Sequence, residues 1–192
     1  MPKIVEDEKI YQAVLKVISE NGYAGATTKL MAEAANVSEV TLFRKYKNKL
    51  QLVKQALLNI IKQTDFLAAT QFSGNVNADL LHVVQAYQDS AVKYSRLLFM
   101  MFSEMSSFPE VLSLLDPPLE VFNNIRNLFA KYQSAGILQQ ENPVHAMSAL
   151  FGPLIYTSMM QSAMPNVHIP PLDLQKHVTR YLEGRLLENQ EN

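Results

Sequence analysis

The stretch TTKLMAEAANVSEVTLFRKYKNKLQLVKQAL, residues 27–57, contains two short helical patterns separated by a tight turn. The first helix is predicted over residues 28–35, and Asn36 follows it as a residue that tolerates the left-handed conformation of a turn. Ser38 is placed to cap a second helix, which ends near Tyr46. Two short helices joined in this way indicate a helix-turn-helix, a motif that inserts its second helix into the major groove of DNA.

The distribution of small, apolar and charged residues supports this interpretation. Ala32 and Ala35 allow the two helices to cross closely, and Leu42 with Tyr46 gives the later helix one apolar face. The residues expected to face outward carry two long cations, a hydroxyl and apolar groups, which can reach base edges and thymine methyl groups. They are Val40, Thr41, Arg44 and Lys45, with Phe43 at the edge. An ordinary three-helix bundle with a charged surface is the alternative.

Positive charge is concentrated in the same part of the chain. Residues 1–54 have nine Lys or Arg and six Asp or Glu, a balance of +3, whereas the rest has a balance of −4, for a net charge of −1. Asn48 is a good N-cap, so Lys49 is predicted to begin a fourth helix, at an end that already carries roughly half a positive charge. A phosphate bound there would explain the arrangement. A solvated charged face without a ligand is the other interpretation.

The rest of the sequence also predicts helices, because apolar residues recur at helical spacing and no stretch alternates as a strand does. The expected helices are 8–21, 28–35, 39–46, 49–72, 77–94, 95–107, 117–136, 143–163 and 173–187. We therefore predict an all-α protein of about nine helices. A three-helix helix-turn-helix domain at 1–47 is expected to join a larger helical domain at 48–192 through the fourth helix.

Composition limits the class of protein. The chain has 192 residues, 48% hydrophobic and 18% charged, which is typical of a globular protein. It has no cysteine, so disulfides and thiolate metal sites are excluded, and its first residues lack the apolar core of a signal peptide. The densest apolar run, LLFMMF at 97–102, is far shorter than the ~20 residues that cross a bilayer. We expect a bacterial cytoplasmic protein with no membrane contact.

Motifs that would indicate catalysis are missing from the sequence. The four histidines are far apart, and none stands with a carboxylate in a metal-ligand spacing. The glycines are scattered singly, and there is no nucleophile elbow or pair of catalytic carboxylates. We therefore expect no catalytic residue, no metal and no cofactor, and a protein that is not an enzyme.

Residues 27–57 resemble the DNA-binding region of the tetracycline-repressor (TetR/AcrR) family. The family pattern runs T-x-x-x-I-A-x-x-A-G-V-S-x-G-T-L-Y-x-Y-F-x-x-K-x-x-L, and Asn36 and Val40 stand where glycine is usual. The resemblance implies that the second and third helices contact bases and phosphates, and that Lys49 clamps a phosphate at the start of the fourth. The implied DNA-binding residues are Thr28, Lys29, Ser38, Glu39, Val40, Thr41, Phe43, Arg44, Lys45 and Lys49.

The resemblance also implies that the larger domain binds a ligand and forms a dimer. The stretch LLFMMFSEMSSF, residues 97–108, fits either a helical core or a pocket with adaptable walls. The predicted pocket residues are Phe99, Phe102, Met105, Phe122, Tyr156 and Gln161. In family members of this shape the last two helices pair with their copies, which here suggests the interface positions Leu150, Leu154, Ser158, Gln161, Val178, Tyr181, Leu182 and Arg185.

These inferences predict a ligand-responsive transcriptional regulator. In the role of a repressor, it would bind a palindromic operator in double-stranded DNA as a homodimer and be released by a small hydrophobic effector. One alternative is a DNA-binding architectural or partner-regulated protein without a small-molecule effector. Another is a helical enzyme or carrier in which the basic module is incidental. Sequence-selective DNA binding would exclude the last, and ligand-dependent loss of binding would exclude the architectural alternative.

Overall fold

The structure is a computed structural model that describes residues 7–104, 108–164 and 166–187, apart from the side chains of 92–93, 95–96, 98–103 and 110. This part of the chain contains nine α-helices and one 3-10 helix, and none of these helices is long and apolar enough to span a bilayer. The predicted all-α fold is confirmed. The helices are α1 (Asp7–Gly25), α2 (Thr28–Ala34), α3 (Glu39–Tyr46), α4 (Lys49–Gln63), α5 (Phe66–Ala69), α6 (Val76–Glu104), the 3-10 helix (Pro109–Leu115), α7 (Asp116–Ser134), α8 (Pro143–Ala163) and α9 (Leu174–Glu183).

The chain divides into two compact units. The first contains residues 1–63 and 96–119, and the second contains residues 64–95 and 120–192. Helices α6 and α7 therefore contribute residues to both units. The assignment of DNA binding to 1–47 and of ligand binding and dimerisation to 48–192 concerns function, and it stays a prediction.

The first unit is built on the helix-turn-helix, in which α3 is the recognition helix. Both α1 and α3 pack against α2 and α4. Val14 and Ile18, on the apolar face that the sequence predicts for α1, are fully buried. Ala32 and Ala35 are buried as well, as the close crossing of α2 and α3 requires. Apolar burial, at roughly 25 cal/mol per Å², thus holds the recognition helix in a fixed orientation.

Helix α1 contains a break at Gly22, where φ is 73° and ψ is 168°. The sequence predicts that this helix stops at Asn21 and Gly22, but the helix resumes after the break and ends at Gly25. A positive φ combined with a ψ near 180° is a conformation that essentially only glycine adopts. The glycine therefore redirects the chain within α1 instead of ending the helix.

Helix α4 ends at Gln63 and not near Phe72, as the sequence predicts. Residues 64–65, a threonine and an aspartate, interrupt it, because such side chains compete with the helix for backbone groups. The short α5 follows, and its Phe66 and Ala69 pack into the core of the second unit. The burial of these two side chains stabilises the turn, which would be absent if α4 were one longer helix.

Helix α6 is a single helix of 29 residues, whereas the sequence predicts two helices that divide near Tyr94. No glycine or proline lies between Asn77 and Glu104, so nothing in the chain ends the helix earlier. The N-cap is Asn75, two residues before Asn77, where the sequence predicts that the helix begins. The side chain of Asn75 accepts a hydrogen bond from the backbone N–H of Ala78 at 3.1 Å.

Helix α9 is capped by Asp173, where the sequence predicts that it begins, but it ends at Glu183 instead of near Leu187. Gly184 follows the helix, and the chain then runs beside the segment that links α7 to α8. There the backbone N–H of Leu187 donates to the carbonyl of Ile137 at 3.1 Å. This contact replaces the last helical turn that the sequence suggests.

The second unit packs α6, α7, α8 and α9 around one apolar core. Tyr132 and Phe129 of α7 are among the largest side chains that are completely buried. Five of the positions predicted for a dimer interface also lie in this core, at most 6% exposed, so the prediction is wrong for them. They are Leu150, Leu154, Val178, Tyr181 and Leu182. Both sides of α8 are rich in apolar residues, and periodicity alone therefore could not separate its core side from its outer side.

Candidate DNA-binding surface

The turn of the helix-turn-helix is fixed by caps on both sides. The Thr27 side chain caps α2 by accepting from the backbone N–H of Leu30 at 3.2 Å. Asn36 has a φ of 53°, the left-handed conformation that the sequence predicts for the turn. The Ser38 hydroxyl caps α3 by accepting from the backbone N–H of Thr41 at 3.2 Å. These contacts hold the first turn of the recognition helix, the part that meets base edges in this motif.

The outer face of α3 is open to solvent. Val40 is 74% exposed and Phe43 is 48% exposed, which are large fractions for apolar side chains. Arg44 is exposed beside them, while Leu42 and Tyr46 are buried on the opposite face. A helix that presents apolar groups and a cation together has the surface chemistry that the major groove of DNA receives.

The cations of this surface fall into two groups. Among the described residues, the exposed side chains of Lys29 and Arg44 have no hydrogen-bond or ion-pair partner. By contrast, Lys45 pairs with a carboxylate and Lys49 donates to a backbone carbonyl. The first group is free to contact phosphates or base edges without giving up an internal contact.

Asp7 connects the first turn of α1 to the last turn of α3. Its carboxylate accepts hydrogen bonds from Lys45 Nζ and from Tyr46 Oη, the second at 3.1 Å. Burial raises the pKa of the Tyr46 phenol, and its interactions with Tyr11 and Asp7 raise it further. Tyr46 therefore stays protonated at neutral pH and serves as a hydrogen-bond donor to the carboxylate.

Thr28 and Glu39 are brought together across the turn. The Thr28 hydroxyl donates a hydrogen bond to the Glu39 carboxylate, which joins the first turn of α2 to the first turn of α3. The sequence predicts that both residues contact DNA, and the hydrogen bond places their side chains next to each other on the surface. Their DNA contacts stay a prediction.

Lys49 begins α4 as predicted, and Asn48 caps that helix by accepting from the backbone N–H of Gln51 at 2.9 Å. The Lys49 ammonium donates to the carbonyl of Tyr23 and lies 4.1 Å from the centre of the Tyr23 ring. The carbonyl and the aromatic face both attract a cation. The positive charge at this helix N-terminus is thus stabilised inside the protein, and the phosphate contact predicted for Lys49 would add to these two.

Three residues in this region escaped the sequence analysis, namely Asp7, Tyr23 and Glu104. Asp7 is 38 residues from Lys45, and Tyr23 is 26 residues from Lys49. Glu104 accepts a hydrogen bond from the backbone N–H of Tyr23 across 81 residues. No local pattern links such distant positions, and only the tertiary fold brings them together.

The residues predicted for an effector pocket are placed as follows. Met105 and the side chains of Phe99 and Phe102 lie outside the described residues. Phe122 and Tyr156 are described, and they are 38% and 65% exposed. The pocket that the sequence suggests therefore stays a prediction.

A cleft of about 250 Å³ lies in the second unit, and Gln161 of the predicted pocket is part of its wall. The other lining residues combine neutral polar side chains with apolar ones. They are Gln88, Ala91, Thr157, Ser158, Ile169, Pro170, Pro171 and Leu172. A wall without charges suits a neutral ligand that carries hydrogen-bonding groups.

The capped turn and the exposed recognition helix define this chain as a DNA-binding transcriptional regulator of the helix-turn-helix class. A sequence model described as bacterial regulatory proteins of the tetR family matches residues 10–56. The uncharacterized HTH-type transcriptional regulator YvkB of Bacillus subtilis (strain 168) is 30% identical over 158 residues, which cover 78% of this chain and 82% of that protein. The chain belongs to the TetR family of transcriptional regulators, as the sequence resemblance predicts.

Solved structures of regulators share the fold. The fatty acid degradation regulator FadR from Bacillus halodurans matches with a TM-score of 0.69 and 18% identity, over 100% of both chains. The flavonoid-responsive regulator FrrA matches with a TM-score of 0.65 and 15% identity, over 94% of this chain and 96% of that one. At such identities the likeness concerns the fold alone.

Proposed function

We propose that this chain is a ligand-responsive repressor that binds a palindromic operator as a homodimer. The observation that carries the proposal is the outer face of α3, where Val40, Phe43 and Arg44 are exposed on a helix whose opposite face is buried. One such face reads only a few base pairs. Useful selectivity therefore requires two copies about one helical turn of DNA, ~34–36 Å, apart.

The proposed DNA contacts are the residues that the family resemblance identifies in α2, in α3 and at the start of α4. Arg44 is proposed to read a base edge, because its guanidinium is exposed and has no partner among the described residues. Lys29 is proposed to contact the phosphate backbone at the start of α2. The caps at Thr27 and Ser38 support the proposal, because they fix both helices before DNA arrives.

The exposed apolar side of α8 supports the homodimer. Ile155, Tyr156 and Met159 are 42%, 65% and 44% exposed. Residues three and four positions apart on a helix are neighbours, so Met159 lies beside both Tyr156 and Ile155 and the three form one patch. Burial of this patch against a second copy would give an isologous interface with a two-fold axis, the symmetry that a palindromic operator matches.

A neutral, largely hydrophobic effector is proposed for the second unit. The uncharged cleft beside Gln161 supports this choice of ligand class. Two fold neighbours are named as a flavonoid-responsive regulator and a fatty acid degradation regulator, which agrees with effectors of apolar or aromatic character. An effector that prefers the non-binding arrangement by ~1–3 kcal/mol would reduce DNA affinity about 5- to 150-fold.

The test begins with selection of duplexes from a random-sequence pool by the purified protein. We expect enrichment of an inverted repeat, and a complex that contains two protein chains per duplex. A panel of neutral hydrophobic compounds is then titrated into that complex. At least one compound should bind the free protein and release the DNA.

Two results would redirect the proposal. Enrichment of a single asymmetric site by one chain would exclude the dimer on a palindrome. Enrichment of an inverted repeat that no compound releases would favour a regulator controlled by a protein partner, the alternative without a small-molecule effector.

A further inference from the structure

The break in α1 lies directly against a carboxylate from the end of α6. Gly22 has a positive φ of 73°, and a Cβ built on it would overlap Oε1 of Glu104. A side chain at position 22 is thus disfavoured both by the backbone conformation and by this close approach. A side chain here would displace the Glu104 carboxylate from its position against the backbone of α1.

From this position the Glu104 carboxylate binds Tyr23, the residue that follows Gly22. Its Oε2 accepts a hydrogen bond from the backbone N–H of Tyr23 at 2.5 Å. Hydrogen bonds to a charged acceptor are among the stronger ones in proteins. The Tyr23 side chain is buried, and its ring packs against the ring of Phe108 with the centroids 6.1 Å apart. Tyr23 is thus held on its N–H side and on its ring by the chain around the end of α6.

Tyr23 in turn holds Lys49 at the start of α4. Its carbonyl accepts from Lys49 Nζ, and its ring lies under the same ammonium at 4.1 Å. A free lysine side chain loses rotamer freedom when it binds a phosphate, a cost of roughly 1.5–2 kcal/mol. A lysine that is already held loses less.

We propose that Glu104 is a positioning residue for DNA binding, which acts through Tyr23 to hold the Lys49 ammonium where it contacts a DNA phosphate. The inference rests on the phosphate contact of Lys49 in the proposed function. It adds that Glu104, an acidic residue far away in the sequence, supports this contact. Neither Glu104 nor Tyr23 is part of the helix-turn-helix pattern itself.

The proposal predicts an effect opposite to that of simple electrostatics. Removing a negative charge from a DNA-binding protein normally strengthens its binding to DNA. If Glu104 positions Lys49, its removal weakens binding instead. Glu104→Ala removes both the charge and the acceptor, whereas Glu104→Gln removes the charge and keeps an oxygen that can accept from Tyr23 N–H. The two variants have the same net charge, so their difference isolates the hydrogen bond.

The experiment measures affinity for a random-sequence duplex as a function of salt concentration. This probe suffices because a phosphate contact acts on any sequence, so the result does not depend on the existence of a palindromic operator or an effector. We expect Glu104→Ala to bind about tenfold more weakly than wild type, with a salt slope lower by about one unit. Glu104→Gln should bind at least as well as wild type and keep its salt slope.

Double variants separate positioning from general loosening of the fold. Glu104→Ala should add little to the loss caused by Lys49→Ala, because both remove the same contact. It should be additive with Lys29→Ala, because no contact among the described residues links Lys29 to Glu104 or Tyr23. Glu20→Ala is the matched control for charge, since Glu20 lies on α1 and forms its only ion pair among the described residues with Lys16, at 4.0 Å. This control should not weaken DNA binding.

Two outcomes overturn the proposal. One is unchanged or tighter binding by Glu104→Ala. The other is an equal loss of affinity in Glu104→Ala and Glu104→Gln, which would show that the acceptor oxygen is not what matters. If Glu104→Ala does not fold, Glu104→Leu, which also lacks the acceptor but keeps the bulk of the side chain, replaces it in the same comparison with Glu104→Gln. If wild-type protein selected no operator, that result would count against the proposed function. The measurements on the random-sequence duplex would still test the role of Glu104.

Discussion

The phenol oxygen of Tyr46 lies 3.1 Å from a carboxylate oxygen of Asp7, so the last residue of the recognition helix is bonded to the first residue of α1. The same carboxylate oxygen accepts from Lys45. One acidic group therefore anchors the C-terminal turn of the recognition helix at two successive residues. Arg44, the residue before Lys45, is not held by this carboxylate and faces outward.

Asp7→Ala should destabilise the first unit. The buried Tyr46 loses its charged acceptor and Lys45 loses an exposed ion pair, so we expect the free energy of unfolding to fall by about 1 kcal/mol. Chemical denaturation measures this, with Glu33→Ala, an exposed acid on α2, as the control. In a double-mutant cycle with Tyr46→Phe the two losses should not add. Fully additive losses would contradict a direct contact.

Arg44 and Lys29 should differ in what their loss does to DNA recognition. If Arg44 reads a base edge, Arg44→Ala should cost ~1–3 kcal/mol on the selected operator and relax the preference at one base pair of each half-site. If Lys29 contacts a phosphate, Lys29→Ala should weaken binding to all sequences and lower the salt slope by about one unit. Affinities measured on the operator and on its single-base variants distinguish the two roles. If both variants lost the same affinity on every sequence, Arg44 would not be a residue that reads a base.

Tyr132→Phe should destabilise the second unit through a buried carboxylate. Asp79 is 7% exposed and accepts from Tyr132 Oη, from the Ser73 hydroxyl at 2.6 Å and from the Ser73 backbone N–H at 2.8 Å. Removal of the phenolic hydroxyl leaves this buried carboxyl group with fewer donors, a loss of about 1–3 kcal/mol. Thermal unfolding monitored by circular dichroism measures it. Tyr156→Phe, at a residue 65% exposed, is the control and should change nothing.

Alkaline pH should unfold the protein as its buried tyrosines ionise. Burial is the main cause that raises the pKa of Tyr46, Tyr132 and Tyr181 above the usual value. Because the folded state keeps these phenols protonated, their contribution to stability is complete below the unfolded pKa of about 10 and is lost as the pH rises above it. Tyrosinate absorbance should therefore rise together with the loss of helical circular dichroism. Complete ionisation of all tyrosines in a still helical protein would contradict this.

The helix-turn-helix could be predicted closely because its signals are local. A cap bonds to a backbone group three residues away, and the residue in the turn needs only its own backbone freedom. Asn36 and Ser38 therefore occupy their expected roles. The boundaries of α4, α6 and α9 depend instead on what the neighbouring residues pack against. For these helices the observed limits differ from the predicted ones by several residues.

Contacts between distant parts of the chain could not be predicted. The charge pattern counted Arg44, Lys45 and Lys49 among the cations in and beside α3, but it showed no internal partner for any of them. The structure separates them, because Asp7 and Tyr23 reach those two lysines across the fold. The same limit explains α8, where the sequence shows apolar residues without showing which of them the core takes. Leu150 and Leu154 are buried, while Ile155 and Met159 remain exposed.

Met159→Glu should therefore separate the proposed dimer without unfolding the chain. Met159 is 44% exposed within the patch that also contains Ile155 and Tyr156. A charge at a surface position normally changes the stability of the fold by no more than ~0.5 kcal/mol, whereas an uncompensated carboxylate inside an apolar interface is costly. Sedimentation should show a monomer at micromolar concentration with an unchanged melting temperature of the second unit. Because each half-site is then bound singly, affinity for the inverted repeat should fall about 10²-fold or more. Leu67→Glu, at a residue 58% exposed on α5, should remain dimeric. A dimer that survives Met159→Glu, or one lost equally in both variants, would place the interface elsewhere than on this side of α8.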